Sequence, residues 1–275
     1  MTDVQLHITD SGGEGRPVVL IHGWPLSAES WQPQRRALTA AGFRVVDYDR
    51  RGFGQSDKPE DGYDYDTFAD DLESVLRSLD LVDVTLVGFS MGGGEVARYV
   101  ARHGESRIRS VVFAASVTPF MHTTDDNPDG PLGDDLYGQL RGGLVEDRAA
   151  FFEEFVRGFY SVDGDVRVGD GDLKAAVDMC MQSSQTAAVA AMDAWATTDF
   201  RDDLAKVTVL TLVIHGSGDA TVPFEGSGAR THAAIAHSEL VVVDDAPHGL
   251  TTSHADEFDA ALLRFVQDEA PGVDA

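Results

Sequence analysis

The chain has 275 residues, of which 47 are acidic and 21 basic, so its formal net charge is −26. This deficit of basic side chains argues against a nucleic-acid partner, because binding a polyanion requires Lys and Arg that displace its counterions. Hydrophobic residues make up 43% of the chain and include 14 Phe, which is enough to bury a large core, so extended disorder is not expected.

The charged residues are also unevenly divided by type. Asp accounts for 34 of the acidic residues and Arg for 18 of the basic ones. An acid-rich, Lys-poor surface is typical of a protein that works in molar salt, where the Debye length falls to ~3 Å and self-repulsion is screened. A GC-rich genome also favours Arg over Lys but accounts less well for the net charge, so we expect salt adaptation.

The sequence shows no sign of secretion or membrane insertion. Cys180 is the single cysteine and cannot form a disulfide within the chain, and Met1-Thr2-Asp3 do not begin a basic region followed by an apolar one. No window approaches ~18 consecutive apolar residues. We therefore expect a soluble cytoplasmic protein without a membrane partner.

Short β-branched runs alternate with amphipathic helical stretches along the chain. This pattern predicts an α/β protein with a mainly parallel central sheet covered by helices on both faces. The predicted strands are residues 18–21, 45–48, 84–87, 111–113, 209–214 and 240–243. The predicted helices include residues 67–79, 91–103 and 252–267, the last ending near Pro271-Gly272.

The alternation stops between residues 118 and 195. A turn-rich acidic segment at 123–133 is followed by helical composition at 149–159 and 173–195, with no plausible strand. We therefore predict two domains. Residues 1–117 and 196–275 form an α/β core, and residues 118–195, called the cap segment below, form an inserted helical cap.

A short motif gives the first indication of chemistry. Gly88-Phe89-Ser90-Met91-Gly92 lies between the predicted strand at 84–87 and the predicted helix that begins at 91, which is the context that a G-x-S-x-G turn needs. The serine of such a turn is strained and exposed, and the two glycines avoid collisions with the neighbouring strand and helix. Ser90 is thus the candidate nucleophile, above a helix N-terminus that favours negative charge.

A second motif ends the strand at 18–21, where the chain continues as His22-Gly23-Trp24-Pro25. A tight turn here can aim the Trp24 backbone amide at the nucleophile. The Met91 amide, directly after Ser90, would complete a two-donor oxyanion hole. We expect His22 to tie this loop through ring hydrogen bonds rather than to act as a second base.

Two further polar residues, Asp219 and His248, follow the last two predicted strands. Because parallel strands end at the same edge of a sheet, both side chains are expected there, beside Ser90. A serine hydroxyl needs a base to accept its proton and an acid to orient that base, so the three residues form a candidate catalytic triad. Asp244 and Asp245 compete with Asp219 for the role of the acid.

A third loop, Asp49-Arg50-Arg51-Gly52, follows the strand at 45–48. Its position after a core strand brings it to the same edge of the sheet. We interpret Arg50 and Arg51 as ion-pair partners of nearby acids rather than as groups that clamp a substrate.

With these residues in place, the chain resembles the α/β-hydrolase superfamily over essentially its whole length. Within that superfamily it is most similar to the cofactor-free bacterial haloperoxidases, also called perhydrolases, and to related arylesterases. The resemblance rests on residues 22–27, 50–56 with 62–68, 88–99 and 246–250.

This resemblance implies an α/β-hydrolase fold and a serine hydrolase that forms an acyl-enzyme from a carboxylic ester. The acyl group passes to water or, as a side activity, to hydrogen peroxide. No haem or metal cofactor is implied, and the nine histidines show no metal-ligand motif. In similar relatives a proline directly after the oxyanion residue accompanies peroxide use, which draws attention to Pro25. The expected partners are a small ester and peroxide, and a homo-oligomer is compatible with the sequence.

Other activities of this fold require different residues. Dehalogenases and epoxide hydrolases use an aspartate nucleophile, whereas position 90 is Ser, and a hydroxynitrile lyase would add a lysine near the pocket, for which Lys206 is poorly placed. Lactonase, thioesterase or carbon–carbon hydrolase activity stays open, because these activities differ in the cap rather than in the triad. A ligand-binding receptor with a nearly idle triad stays open as well.

The apolar character of the candidate pocket favours a short acyl or aryl ester, since no basic cluster marks the cap segment. The candidate pocket residues flank the nucleophile and the oxyanion amide, lie in the cap segment, or follow the acid and the base. They are Trp24, Pro25, Phe89, Phe120, Met121, Phe155, Phe159, Trp195, Val222 and Leu250.

Overall fold

The structure is a computed structural model that describes residues 4–268. A seven-stranded sheet flanked by helices forms its centre, and a separate hairpin of two short strands accompanies it. The strands are β1 (Ile8–Asp10), β2 (Pro17–Ile21), β3 (Arg44–Tyr48), β4 (Val84–Phe89), β5 (Ile108–Ala114), β6 (Ser161–Val162), β7 (Asp165–Val166), β8 (Leu210–Gly216) and β9 (Glu239–Val243). The helices are α1 (Gln32–Ala40), α2 (Tyr65–Ser78), α3 (Met91–His103), α4 (Asp134–Glu146), α5 (Arg148–Phe159), α6 (Asp170–Met181), α7 (Gln185–Thr197), α8 (Arg201–Leu204), α9 (Gly228–Ala234), α10 (Leu250–Ser253) and α11 (Ala255–Asp268).

The central sheet has the strand order β1-β3-β2-β4-β5-β8-β9, and every neighbouring pair is parallel except β1 with β3. The six predicted strands all lie in this sheet, with ends shifted by up to three residues, so the predicted fold class is confirmed. β4 is buried along all six of its residues, as expected for a strand covered on both faces. The edge strand β1 was not predicted, because three residues are too short to show a pattern of alternation.

The predicted helices are present with local differences. α2 begins at Tyr65 rather than at residue 67, because the Asp64 carboxylate accepts a hydrogen bond from the Thr67 amide at 2.9 Å and caps the helix. The predicted helix at 252–267 is wrong as a single helix: it is divided into α10 and α11 at His254. Its predicted end at Pro271-Gly272 lies outside the described residues.

The cap segment contains α4, α5, α6 and most of α7, which ends two residues beyond it at Thr197, between core strands β5 and β8. The expectation that it holds no strand is wrong, because β6 and β7 form a hairpin around Asp163 and Gly164, both with positive φ. An Asp-Gly pair is a strong hairpin signal, but the flanking strands of two residues each show no periodicity. The helical stretch predicted at 173–195 is two helices, because the Ser184 hydroxyl caps a new helix by accepting a hydrogen bond from the Ala187 amide.

No helix within residues 4–268 combines the length and the apolar composition required to cross a membrane.

Candidate active site

Ser90 lies in the sharp turn between β4 and α3 and has a φ of 54°. A β-carbon placed on Gly88 would lie 2.4 Å from the Gly92 carbonyl oxygen, and one placed on Gly92 would lie 2.5 Å from the Ile21 carbonyl oxygen. Only glycine fits at either position, which confirms the collisions expected from the motif. A positive φ at a serine costs about 1–3 kcal/mol, so the surrounding packing must hold this turn in place.

Ser90, His248 and Asp219 form one hydrogen-bonded chain. The Ser90 Oγ lies 2.9 Å from His248 Nε2, and His248 Nδ1 lies 2.6 Å from Asp219 Oδ2. The arrangement assigns the ring proton to Nδ1, which donates to the carboxylate, and leaves Nε2 free to accept the proton of the serine hydroxyl. All three side chains are buried, with Ser90 5% exposed. The expectation of an exposed serine is therefore wrong, because the rings of Phe89 and Phe159 pack against His248 beside it.

The Asp219 carboxylate is held on both of its oxygens. Oδ1 accepts hydrogen bonds from the amides of Thr221 at 2.9 Å and Val222 at 2.8 Å, while Oδ2 faces His248 and also His215 Nε2, at 3.2 Å. Burial raises the pKa of Asp219, but the charge of His248 and the hydrogen bonds from both imidazoles outweigh it and lower that pKa to about 2. The acid is therefore ionised at every ordinary pH.

The other two candidates for the acid have different partners. Asp244 lies 3.3 Å from the Ser217 hydroxyl, and Asp245 forms an ion pair with Arg167 at 2.8 Å. Of the three carboxylates, Asp219 is the one within hydrogen-bond distance of His248.

The loop after β2 lies directly against the nucleophile. A β-carbon on Gly23 would lie 3.0 Å from the Ser90 β-carbon, so the next residue, Trp24, brings its amide to the same edge as the first amide of α3, that of Met91. The first amides of a helix have no acceptor within the helix. This placement is compatible with the predicted oxyanion hole.

His22 ties the loop as expected. Its Nδ1 donates to the Gly23 carbonyl oxygen at 2.8 Å, and its Nε2 accepts from the Arg50 amide at 3.0 Å. Burial, together with the charge of Arg50, holds the pKa of His22 well below its usual range. Both ring nitrogens are engaged by backbone groups, so His22 is not available as a base.

Arg50 and Arg51 form the ion pairs that were expected of them. The buried Arg50 guanidinium donates to Glu95 of α3 at 2.7 Å and to the His22 carbonyl oxygen at 2.9 Å, which connects the loop after β2 to α3. Arg51 donates twice to Asp71 of α2, each time at 2.6 Å. The sequence had indicated acidic partners without identifying them.

Aromatic rings connect the cap segment to the catalytic candidates. The Trp24 ring is buried, donates through Nε1 to the Ala188 carbonyl oxygen at 2.9 Å, and contacts Phe155 and Trp195 at centroid distances of 5.2 and 6.0 Å. The His248 ring lies between Phe89, at 5.2 Å, and Phe159, at 5.0 Å. Phe159 also contacts Phe155 at 5.9 Å and Phe89 at 6.0 Å, so these five aromatic residues form one connected cluster of rings.

The remaining pocket candidates have other contacts. The Phe120 ring centroid lies 5.4 Å from the Arg201 guanidinium carbon. The Val222 amide donates a hydrogen bond to Asp219, and the Val222 carbonyl oxygen contacts His215 Nε2. A place in the pocket stays a prediction for these two residues and for three further buried ones, Pro25, Met121 and Leu250.

The hairpin region, defined as residues 159–166 from the end of α5 to the end of β7, contacts both loops that carry the candidate acid and base. The sequence did not indicate this contact. The Phe159 carbonyl oxygen accepts a hydrogen bond from the Gly249 amide at 2.9 Å, next to His248. A β-carbon on Gly218 would lie 2.7 Å from Val162, next to Asp219. The cap segment is therefore packed against the backbone on which the triad geometry depends.

His215 is a further part of the site that the sequence analysis did not predict. It is a fully buried polar residue near the carboxyl end of β8, and it contacts Asp219. The signal available was a single histidine directly after an apolar strand run.

Among residues 4–268, no group of three or more His, Cys, Asp and Glu side chains is arranged to hold a metal ion. Lys206 is exposed in the turn after α8.

Comparison with known proteins gives a consistent set of relatives. Residues 16–254 match the family model of the alpha/beta hydrolase fold. The chain is 43% identical over 258 residues to a non-heme chloroperoxidase of Kitasatospora aureofaciens, covering 92% of this chain and 93% of the relative. It is 34% identical over 267 residues to a bifunctional esterase/perhydrolase of Acinetobacter calcoaceticus, covering 96% of both. The crystal structure of a bromoperoxidase from Bacillus anthracis superposes with a TM-score of 0.94 at 47% identity, covering 96% of both chains.

The contact between the hairpin region and the His248 loop can be tested with Gly249→Ala. The new β-carbon would lie 2.2 Å from the Tyr160 ring and 2.7 Å from the Phe159 ring, so the loop must shift. We expect the free energy of unfolding to fall by about 1–3 kcal/mol and kcat for an ester to fall roughly ten- to hundredfold. Gly171→Ala is the matched control, because apart from its chain neighbours and the backbone of its own helix no described atom lies within 4 Å of its β-carbon position. Equal kcat values for the two variants would contradict the expectation.

Proposed function

The chain belongs to the α/β-hydrolase family and is an enzyme of its haloperoxidase and esterase group, and on this basis we propose that it is a serine hydrolase of short acyl or aryl carboxylic esters. The observation that carries the proposal is the hydrogen-bonded chain from Ser90 Oγ through His248 to Asp219 on a strained turn. The cluster of apolar rings beside it supports an uncharged substrate.

The first half-reaction follows from this geometry. His248 Nε2 takes the hydroxyl proton as Ser90 Oγ attacks the ester carbonyl carbon, and the amides of Trp24 and Met91 stabilise the oxyanion that forms. The ester C–O bond then breaks, and His248 returns the proton to the departing alcohol. The acyl group is left on Ser90.

The second half-reaction releases the acyl group. His248 removes a proton from water, which attacks the acyl carbon, and the bond to Ser90 Oγ breaks as the proton returns to the serine. Asp219 remains ionised, fixes the imidazole tautomer and stabilises the imidazolium at each step.

Hydrogen peroxide replacing water in the second half-reaction would give a peracid. The esterase/perhydrolase relative carries both activities in its name, and Pro25 follows the proposed oxyanion residue directly. We infer that perhydrolysis is a side activity of the same site, with peroxide as the second substrate. The predicted cap, residues 118–195, would then bound the pocket that both reactions share.

The principal test is a panel of short p-nitrophenyl esters combined with fluorophosphonate labelling. Ser90→Ala should lower kcat by at least about 10⁵-fold and abolish labelling, because the nucleophile is lost. The exposed Ser106→Ala variant should leave both unchanged. Wild-type protein that neither hydrolyses the esters nor becomes labelled would favour a binding protein with an idle triad.

The lowered pKa of Asp219 predicts the shape of the pH profile. Because that pKa is about 2, Asp219 stays ionised above it and adds no second ionisation to the acid side of the profile. The logarithm of kcat/KM should therefore fall by one per pH unit down to about pH 4. A slope that approaches two in this range would show that the carboxyl also titrates there.

Pro25→Leu tests the inference about peroxide. We expect the ratio of peracid formation to ester hydrolysis to fall several-fold while hydrolysis itself persists. Pro33→Leu, at an exposed position in the first turn of α1, is the matched control. An unchanged ratio in Pro25→Leu would show that Pro25 does not favour the use of peroxide.

The net charge of −26 supports a proposal about working conditions, namely salt adaptation. Self-repulsion among the surplus carboxylates destabilises the compact state, and molar salt screens it. The melting temperature should rise from dilute buffer to molar KCl. A melting temperature that stays constant or falls would attribute the acidity to genome composition instead.

A further inference from the structure

His215 is a fully buried polar residue that the proposed reaction does not use directly. It lies in β8, and its Nε2 is 2.8 Å from the Val222 carbonyl oxygen and 3.2 Å from Asp219 Oδ2. The same carboxylate oxygen lies 2.6 Å from His248 Nδ1. Two imidazoles from different parts of the chain thus meet at one oxygen of the candidate acid.

The partners of His215 assign its tautomer. Among residues 4–268, its Nδ1 has no hydrogen-bond partner and is buried against Gly228. A β-carbon added to Gly228 would lie 2.5 Å from this nitrogen. A proton on Nδ1 would be a buried donor without an acceptor, which is costly. The proton therefore lies on Nε2, where it faces both the Val222 carbonyl oxygen and Asp219 Oδ2.

Packing alone does not account for a histidine here. The ring contacts Phe224 at a centroid distance of 5.7 Å, and a phenylalanine would fill similar space without leaving a bare ring nitrogen in the core. The unused Nδ1 is a cost of the imidazole, and the Nε2 proton is its distinguishing contribution.

We propose that His215 is a positioning residue, which donates to Asp219 Oδ2 and so holds the carboxylate in the orientation that His248 requires. The proposal rests on the proposed function, because it assigns Asp219 and His248 to the triad. The groups that face the carboxylate are these two histidines, from β8 and from the loop after β9, and the amides of Thr221 and Val222. His215 is thus the one side-chain donor to Asp219, within the described chain, that takes no direct part in proton transfer.

Removing the donor has a defined electrostatic consequence. Without His215 the negative charge of Asp219 is shared among fewer donors, so it stabilises the imidazolium of His248 more strongly. The acid limb of the kcat/KM profile must move upward, which a loss of packing would not produce.

The test compares His215→Phe with His215→Gln in the full-length protein, using a p-nitrophenyl ester. In His215→Phe we expect kcat to fall about tenfold with KM unchanged, and the acid limb to move to higher pH. The amide nitrogen of Gln can take the place of Nε2, so His215→Gln should restore the acid limb and most of kcat. Phe224→Leu is the control, since it loosens the packing on the ring and keeps the donor.

The outcomes separate this inference from the proposed function. An acid limb that is the same in wild type, His215→Phe and His215→Gln would overturn the positioning role. Fluorophosphonate labelling of Ser90 in the same proteins would still support the proposed serine hydrolase. If His215→Phe does not fold, His215→Asn replaces it, because the shorter amide cannot reach Oδ2. A shifted limb in Asn and a normal limb in Gln would support the proposal, and identical limbs would overturn it.

Discussion

The geometry of the site depends on the close packing around the strained turn at Ser90. Gly88 and Gly92 allow β4 and α3 to approach each other and the end of β2 so closely that no side chain fits between them. The resulting positive φ places the serine hydroxyl at the carboxyl edge of the sheet, beside the first amides of α3. A parallel sheet then brings the loops after β8 and β9 to the same edge, so one backbone constraint determines where every other polar group has to lie.

Polar networks on either side of this turn hold the proposed oxyanion loop, the candidate acid and the candidate base in position. The buried Arg50–Glu95 ion pair connects α3 to the loop that carries the proposed oxyanion amide. On the other side, the hydrogen bonds to Asp219 fix the acid, and the contact between Phe159 and Gly249 links the base to the cap segment. A change in the cap segment can therefore alter the chemistry as well as the selection of substrate.

The sequence predicted the sheet, α3 and the candidate triad because each has a strong local signal. Strand runs such as 84–87 are continuous and apolar, and glycines at fixed spacing around Ser90 have a steric reason. The sequence missed β1 and the β6–β7 hairpin because very short strands carry no periodicity. It missed His215 because the value of a buried imidazole lies in its contact with Asp219, four residues along the chain but on a different segment of the fold. The break at His254 likewise depends on local backbone geometry, which the helical spacing of apolar residues at 252–267 does not reveal.

In the proposed reaction, Ser90 carries the acyl group between the two half-reactions. The most direct measurement is acid quenching of the wild-type enzyme during turnover of p-nitrophenyl acetate, followed by mass spectrometry of its peptides. We expect one acetyl group on the peptide that contains Ser90, and none on the same peptide of Ser90→Ala. Rapid hydrolysis without any acetylated Ser90 under conditions where deacylation is slowed, or acetylation of another residue in step with turnover, would contradict it.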